Sequence, residues 1–291
     1  MAARIAVSVR AARDARPLVR VLAPFLALIA SVPGAASAGA QVGAACRAGA
    51  DAPRLDHAVV AVADLEAGSA AFRAIGFRTK EGTQHADGLR NRHIKFADGT
   101  GIELMSLTDA PTSAIAQGYA DRLASGEGGA YAALWVAGPE ALDGVARRVG
   151  TAEAAPTRSR SGPWQFLSFA TSPALDAVFV GAGPLSVRDA DSVLAHENGA
   201  ASLTAAWVEA GPGFESLLRR MGARACGTLQ LPDGRDGYRW GLARGSLVVA
   251  PLAPGAARAR LIGVELARRP GGADAVTPPW EPLKGFWVVI R

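Results

Sequence analysis

Only two cysteines, Cys46 and Cys226, occur in 291 residues. They lie far apart, so the chain has no CxxC motif and no Cys/His cluster of the structural-zinc type. An oxidising compartment would permit a disulfide between them without requiring one. Histidine is nearly as scarce, with four residues: His57, His85, His93 and His196. There is no GxSxG, no P-loop and no GxGxxG following a strand, so nothing proposes a nucleophile elbow or a nucleotide phosphate cradle. "LPDGRDG" (231–237) reads as a turn rather than a phosphate loop. The longest uncharged apolar run, "VLAPFLALIASV" (21–32), has 12 residues. That is too short to span a bilayer as a helix.

Excess charge is missing as well, once the N-terminus is set aside. Arg4, Arg10, Arg13, Arg16 and Arg20 precede the apolar run, Pro33 and Gly34 break it, and "AASA" follows. This is the layout of a secretory signal peptide over residues 1–38, cleaved near Ala38 or Ala40. The leader carries five Arg and one Asp, +4 of the formal +5. The remainder, 31 − 5 = 26 basic against 26 − 1 = 25 acidic residues, is close to neutral. No nucleic-acid partner follows from such a balance. The expected location is secreted or periplasmic, with no stable membrane insertion after leader removal. "VGAAC" before Cys46 stands too far from the apolar run to act as a lipoprotein box.

What is present is an internal repeat. "VVAVADLEAGSAAFRAIGF" (59–77), "ALWVAGPEALDGVARRVGT" (133–151) and "AAWVEAGPGFESLLRRMGA" (205–223) share one plan. Each begins with an apolar strand, passes a short turn and runs through a helix to Arg-x-(Ile/Val/Met)-Gly. The glycines are Gly76, Gly150 and Gly222; Val62, Val136 and Val208 each precede theirs by 14 residues. In the first copy Asp64 is a helix cap, Leu65, Phe72 and Ile75 form one apolar face, and Gly76 ends the helix. Arg73, Arg147 and Arg219 suit helix C-termini and need no functional role. Trp135 and Trp207 occupy equivalent first-strand positions and read as core. Short strand candidates follow each glycine, and "DGTG" after the third strand is a hairpin signal. The unit is βαβββ, used three times. "RLIGVELA" (260–267) could begin a fourth copy without its helix, and "PLKGFWVVI" (282–290) reads as a final strand. "TSAIAQGYADRLASG" (112–126) is a helical connector. The predicted organisation is 1–38 leader, 53–183 with modules 55–107 and 129–181, and 184–291 with the third module plus a partial fourth.

A βαβββ unit with His on its first strand and Glu on its fourth resembles the vicinal oxygen chelate superfamily of glyoxalase I, extradiol dioxygenases and bleomycin-resistance proteins. "LDHAVVAVADLEAGSAAFRAIGF…GTQHADGLRNRHIKFADGTGIELMSL" is similar to the glyoxalase-like domain family. Its opening LDH, the GF after the helix, the His-then-Asn stretch and the late IEL carry the match. The resemblance implies an α+β fold of curled mixed sheets with helices on the outer face. It implies a cup between two paired modules, lined by the first and fourth strands. It maps a metal-ligand His to His57 and a metal-ligand Glu, also a candidate catalytic base, to Glu103. The cofactor would be a divalent metal of unknown identity, and the partner a small-molecule ligand.

Alternation supports this geometry. Leu55, His57, Val59 and Ala61 should share one face of the first strand; Glu103, Met105 and Leu107 should share a face of the fourth, opposite Ile102 and Leu104. A carboxylate on an otherwise apolar strand needs a partner. For Glu103 that is a metal, or else an ion pair with Arg90 or Arg92. Counting from the repeat glycines, His57 matches Tyr131 and Leu203, while Glu103 matches Ala177, beside Asp176, and Val249. Neither later copy offers a His/Glu pair. His85 and His93, placed in the second and third strands, together with Asn91 and His196, are the remaining candidates for the pocket. The spacing leaves open whether copy two or copy three closes the cup over copy one. Two functions remain: a metal-dependent lyase, isomerase or dioxygenase, and a metal-free small-molecule binding protein.

Overall fold

The computed structural model describes residues 46–291 except 151–154, 185–188, 272–274 and 281–284. The leader expected over residues 1–38 therefore lies outside the described residues. The first module comprises β1 (Arg54–Ala61), α1 (Leu65–Ala74), β2 (Lys80–Gln84), β3 (Leu89–Lys95) and β4 (Gly101–Leu107). A connector helix α2 (Ala114–Ala124) leads to the second: β5 (Gly128–Val136), α3 (Pro139–Val149), β6 (Thr157–Ser161), β7 (Trp164–Ser168) and β8 (Val178–Ala182). After a four-residue helix α4 (Asp191–Leu194) comes the third: β9 (Ala200–Ala210), α5 (Phe214–Met221), β10 (Arg224–Gln230), β11 (Asp236–Gly241) and β12 (Ser246–Pro251). Strands β13 (Arg260–Arg268), β14 (Ala275–Trp280) and β15 (Phe286–Ile290) complete a fourth module. Only six residues separate β13 from β14, so this copy has no room for the helix.

Two sheets result, ordered β2-β3-β4-β1-β5-β8-β7-β6 and β10-β11-β12-β9-β13-β15-β14. Within each module the first strand pairs in parallel with the last, as β1 with β4 and β5 with β8. Between modules the first strands pair antiparallel, β1 with β5 and β9 with β13. Copy two, not copy three, thus closes the cup over copy one, and the apparent odd number of modules becomes two pairs.

Local signals act as their chemistry requires. Asp64 caps α1, its Oδ1 accepting from the amides of Glu66 (2.7 Å) and Ala67 (2.9 Å). Gly76 ends that helix at φ +83°. Leu65 and Phe72 of α1, Leu142 and Val145 of α3, and Leu217 and Leu218 of α5 join the outer faces of both sheets in one core. Helix α2 departs from the expectation that helices pack outside. Its Ala116, Tyr119 and Leu123 pack with Val59, Ala61, Met105 and Tyr131 on the inner face of the first sheet. The connector therefore floors the first cup.

The segment leading into β1 is fastened by a disulfide between Cys46 and Cys226 of β10, with Cα atoms 5.7 Å apart. The following segment donates from Ala48 N to Leu242 O (3.1 Å) and from Leu55 N to Arg244 O (2.8 Å). It thereby ties the first strand to the second half. No described helix is long and apolar enough to cross a membrane.

Candidate functional site

A β-bulge sets up the site. The β1–β5 register shifts between Leu55 and His57, leaving Asp56 as the extra residue. Leu55 consequently turns outward with Ala58 and Val60, into the shared core. The expectation that Leu55 shares the His57 face fails because a bulge interrupts the two-residue period. His57 faces the cup with Val59 and Ala61. The bulge also swings the Asp56 carboxylate beside the ring, with Oδ2 3.0 Å from His57 Nδ1, and Arg54 reaches Asp56 Oδ1 at 3.3 Å.

Glu103 on β4 faces inward with Met105 and Leu107, opposite Ile102 and Leu104, as alternation predicts. Its Oε2 lies 3.3 Å from His57 Nε2. Its Oε1 accepts a 2.6 Å hydrogen bond from Asn91 Nδ2, whose Oδ1 accepts from Thr83 N at 2.6 Å. Arg90 and Arg92 are not its partners. They lie on the opposite face of β3, Arg90 pairing with Glu81 and Arg92 with Glu66 and Glu81. The imidazole thus stands between two carboxylates. Burial pushes its pKa down, but hydrogen bonds to Asp56 and Glu103, with their charges, raise it to about 9. Burial pushes Glu103 up, yet the His57 hydrogen bond and charge lower it to about 2. Asp56 is held below its ordinary value against burial, first by its hydrogen bond with His57.

The other sequence candidates separate. His93 is the cross-strand partner of Glu103 and shares the inner face with Asn91. Burial, opposed only in part by Glu103, lowers its pKa to about 4, so it is a neutral imidazole. His85 is not in the second strand: β2 ends at Gln84, and His85 opens the following turn, its amide donating to Leu89 O (2.7 Å). No hydrogen bond or ion pair joins it to His57 or Glu103 among the described residues. His196 does not reach the cup. Its Nδ1 accepts from Arg78 N (3.0 Å), its Nε2 stands 3.0 Å from Lys95 O, and its ring edges Phe77 and Phe96 at 5.4 and 5.2 Å. Two backbone bonds and two aromatic contacts make it a clasp between the halves; burial keeps it neutral.

The facing wall comes from module two. Val59 is opposite Glu103 in β1–β4, and its repeat equivalent Ala133 is opposite Phe179 in β5–β8. Phe179, not Ala177, therefore occupies the position of Glu103; spacing alone missed a two-residue difference in the intervening loops. Tyr131 occupies the position of His57. The Phe179 ring edges His57 at 6.0 Å, Tyr131 at 5.8 Å and Phe166 at 5.7 Å, and Phe166 edges Trp135 at 6.4 Å. The Arg122 guanidinium lies 3.8 Å from the Tyr131 ring centroid and is bound to buried Asp176. The cup is polar on one side and aromatic on the other.

The second cup is chemically different. Ala205 corresponds to Val59 and is opposite Ser246, so Ser246 rather than Val249 stands at the Glu103 position. Arg239 donates to Ser246 Oγ (2.8 Å) and to both Glu265 oxygens (2.9 Å each), and Trp207 Nε1 donates to Glu265 Oε1 at 3.2 Å. That group is satisfied internally.

The sequence pattern described as a glyoxalase-like domain matches residues 55–212, more than half of the chain. The chain belongs to the glyoxalase-like domain family. Its solved structural neighbours include extradiol dioxygenases of the vicinal oxygen chelate superfamily. This glyoxalase-like protein is 13% identical to a catechol 2,3-dioxygenase, at a TM-score of 0.51 over 82% of this chain and 93% of that one. It is 12% identical to 2,2',3-trihydroxybiphenyl 1,2-dioxygenase from Sphingomonas wittichii, at 0.51 over 82% and 90%. A hypothetical protein from Staphylococcus aureus aligns at 0.56 with 11% identity, over 82% and 98%. At such identities the likeness is one of fold. No curated protein sequence matches significantly.

The family's expected metal can be tested against the donors present. His57 and Glu103 converge, and Asp56 and Asn91 orient them as outer partners of a metal site would. A catalytic metal site usually draws three protein ligands. No group of three His, Cys, Asp or Glu side chains able to hold a metal occurs among the described residues. Module two puts Tyr131 and Phe179 where further donors would stand. The donor set does not fit a resident metal.

Proposed function

We propose that this glyoxalase-like protein captures a small, partly aromatic, oxygen-bearing molecule in its first cup, without a resident metal, after export. The observation that carries the reading is the His57–Glu103 pair, closed to 3.3 Å and faced by the Phe179 ring at 6.0 Å. A ligand docking beside this contact would meet the hydrogen-bonding groups of His57 and Glu103 on one side and the aromatic wall on the other, the usual composition of a small-molecule site. Both side chains stay partly accessible, 22% and 14%. A carboxylate held near 2 is a weak proton acceptor at neutral pH, which favours recognition over general-base catalysis by Glu103. Export is supported by the leader composition and by the disulfide, a bond typical of oxidising compartments.

A dioxygenase-type activity is the second reading, favoured by the fold shared with two dioxygenases. Catechol, named by one neighbour, is a probe for both. The binding reading expects saturable catechol binding to chelator-treated protein, lost in His57→Ala and Phe179→Ala, with no oxygen uptake. Oxygen consumption with catechol that requires added ferrous ion, and disappears in His57→Ala, would establish the second reading and reject the first.

A further inference from the structure

Several side chains in the cup come from the connector helix rather than from either paired module, and one of them carries a hydroxyl. Tyr119 sits midway along α2, the connector that floors the cup. It is 6% exposed. Its ring edges Tyr131 at 5.6 Å, and Tyr131 edges Phe179, which edges His57. The tyrosine thus extends the aromatic wall. Burial, and then the nearby Glu103 carboxylate, push its phenol well above the ordinary pKa, so it stays a neutral donor. The residue is buried, but its hydroxyl is not among the described polar atoms sealed from solvent without a partner, so it stays open to one. The neighbouring Tyr131 is instead engaged through its ring, with the Arg122 guanidinium 3.8 Å from the centroid. No hydrogen bond is made by the Tyr119 hydroxyl among the described residues. Nothing in the fold explains a hydroxyl here, because a phenylalanine would make the same ring contacts with Tyr131 and Met105.

We propose that Tyr119 is a specificity-determining residue of the cup, its phenol donating a hydrogen bond to a carbonyl or phenolic oxygen of the bound ligand. The inference rests on the reading of the first cup as a ligand site. It adds that selection for an oxygen acceptor is made by the connector helix, not by the repeated modules. It also restricts the ligand class: an aromatic hydrocarbon of the same size leaves the phenol buried and unpaired, which is penalised.

The test compares acetophenone, which has an acceptor and no donor, with ethylbenzene, of similar shape and no oxygen. Affinities are read by ligand-observed NMR titration of the whole mature protein and its Tyr119→Phe and His57→Ala forms, with thermal midpoints as a folding control. The wild type should prefer acetophenone. Tyr119→Phe should bind acetophenone roughly threefold to tenfold more weakly, the range for one lost hydrogen bond, with ethylbenzene affinity and midpoint unchanged. Retention of the full acetophenone preference in Tyr119→Phe, while His57→Ala weakens both probes, overturns the role of Tyr119 and leaves the cup reading intact. Failure of the wild type to bind either probe overturns both.

Discussion

Titrating His57 should cost the fold a measurable part of its stability, in a pH window fixed by its two carboxylate neighbours. The perturbation is a rise in pH from 6 to 9.5. The folded imidazole titrates at about 9 against an ordinary 6.5. At about 1.4 kcal/mol for each tenfold, the Asp56–His57–Glu103 arrangement contributes on the order of 3 kcal/mol. The depression of Glu103 to about 2 reports much of the same pairing from the other partner, so it is not added. Because the folded pKa of His57 is raised, its contribution is complete below about 6.5 and lost as pH rises through about 9. Because that of Glu103 is lowered, its contribution is present above about 4.5 and lost as pH falls toward 2. Stability from this group is therefore greatest between about 4.5 and 6.5. Urea unfolding followed by tryptophan fluorescence, at intervals from pH 6 to 9.5, measures it. The wild type should lose on the order of 3 kcal/mol more than His57→Gln over that range. Parallel pH curves for the two proteins would mean that His57 titration contributes nothing to stability.

Three further outcomes follow. His196→Ala should lower stability by about 2–4 kcal/mol, losing two partly buried hydrogen bonds and its contacts with Phe77 and Phe96, without changing catechol affinity; urea unfolding and a binding titration check both halves. Cys226→Ser should cost about 2–4 kcal/mol, since the disulfide closes a separation of 180 residues, and dithiothreitol should lower the wild-type melting temperature but not that of the variant. N-terminal sequencing of protein recovered from the periplasm or medium should begin at Gly39 or Gln41; recovery of an intact Met1 start in the cytoplasm would reject export.

The scaffold was legible in the sequence because its signals are local and repeated. The Asp64 cap, the helix-ending glycines and the alternation of Glu103, Met105 and Leu107 against Ile102 and Leu104 are short-range patterns, and each gave the structure observed. The His57–Glu103 approach was legible for a related reason: two polar residues on inward positions of adjacent strands have nowhere else to go. The errors arise where the period breaks. The bulge at Asp56 moved Leu55 to the opposite face and brought an unforeseen carboxylate to the imidazole. Loop-length differences between modules displaced Phe179 and Ser246 from the positions that counting assigned. His196 was misjudged because a buried histidine bridging two backbone groups looks, in sequence, like any polar residue before a strand. Tyr119 was missed because a helical connector between repeats gives no sign of which sheet face it covers. The adjacent "YADRL" pattern placed Tyr119 and Arg122 three apart on one helical stripe, and that was the available clue.

A cup that recognises its ligand through side chains rather than through a bound ion should carry no resident metal. Elemental analysis of mature protein, purified without chelators after growth with iron, zinc and manganese supplements, tests it most directly. Metal should be substoichiometric and indistinguishable from that in His57→Ala and Glu103→Ala. One equivalent of a single metal in the wild type, lost in both variants, would contradict it.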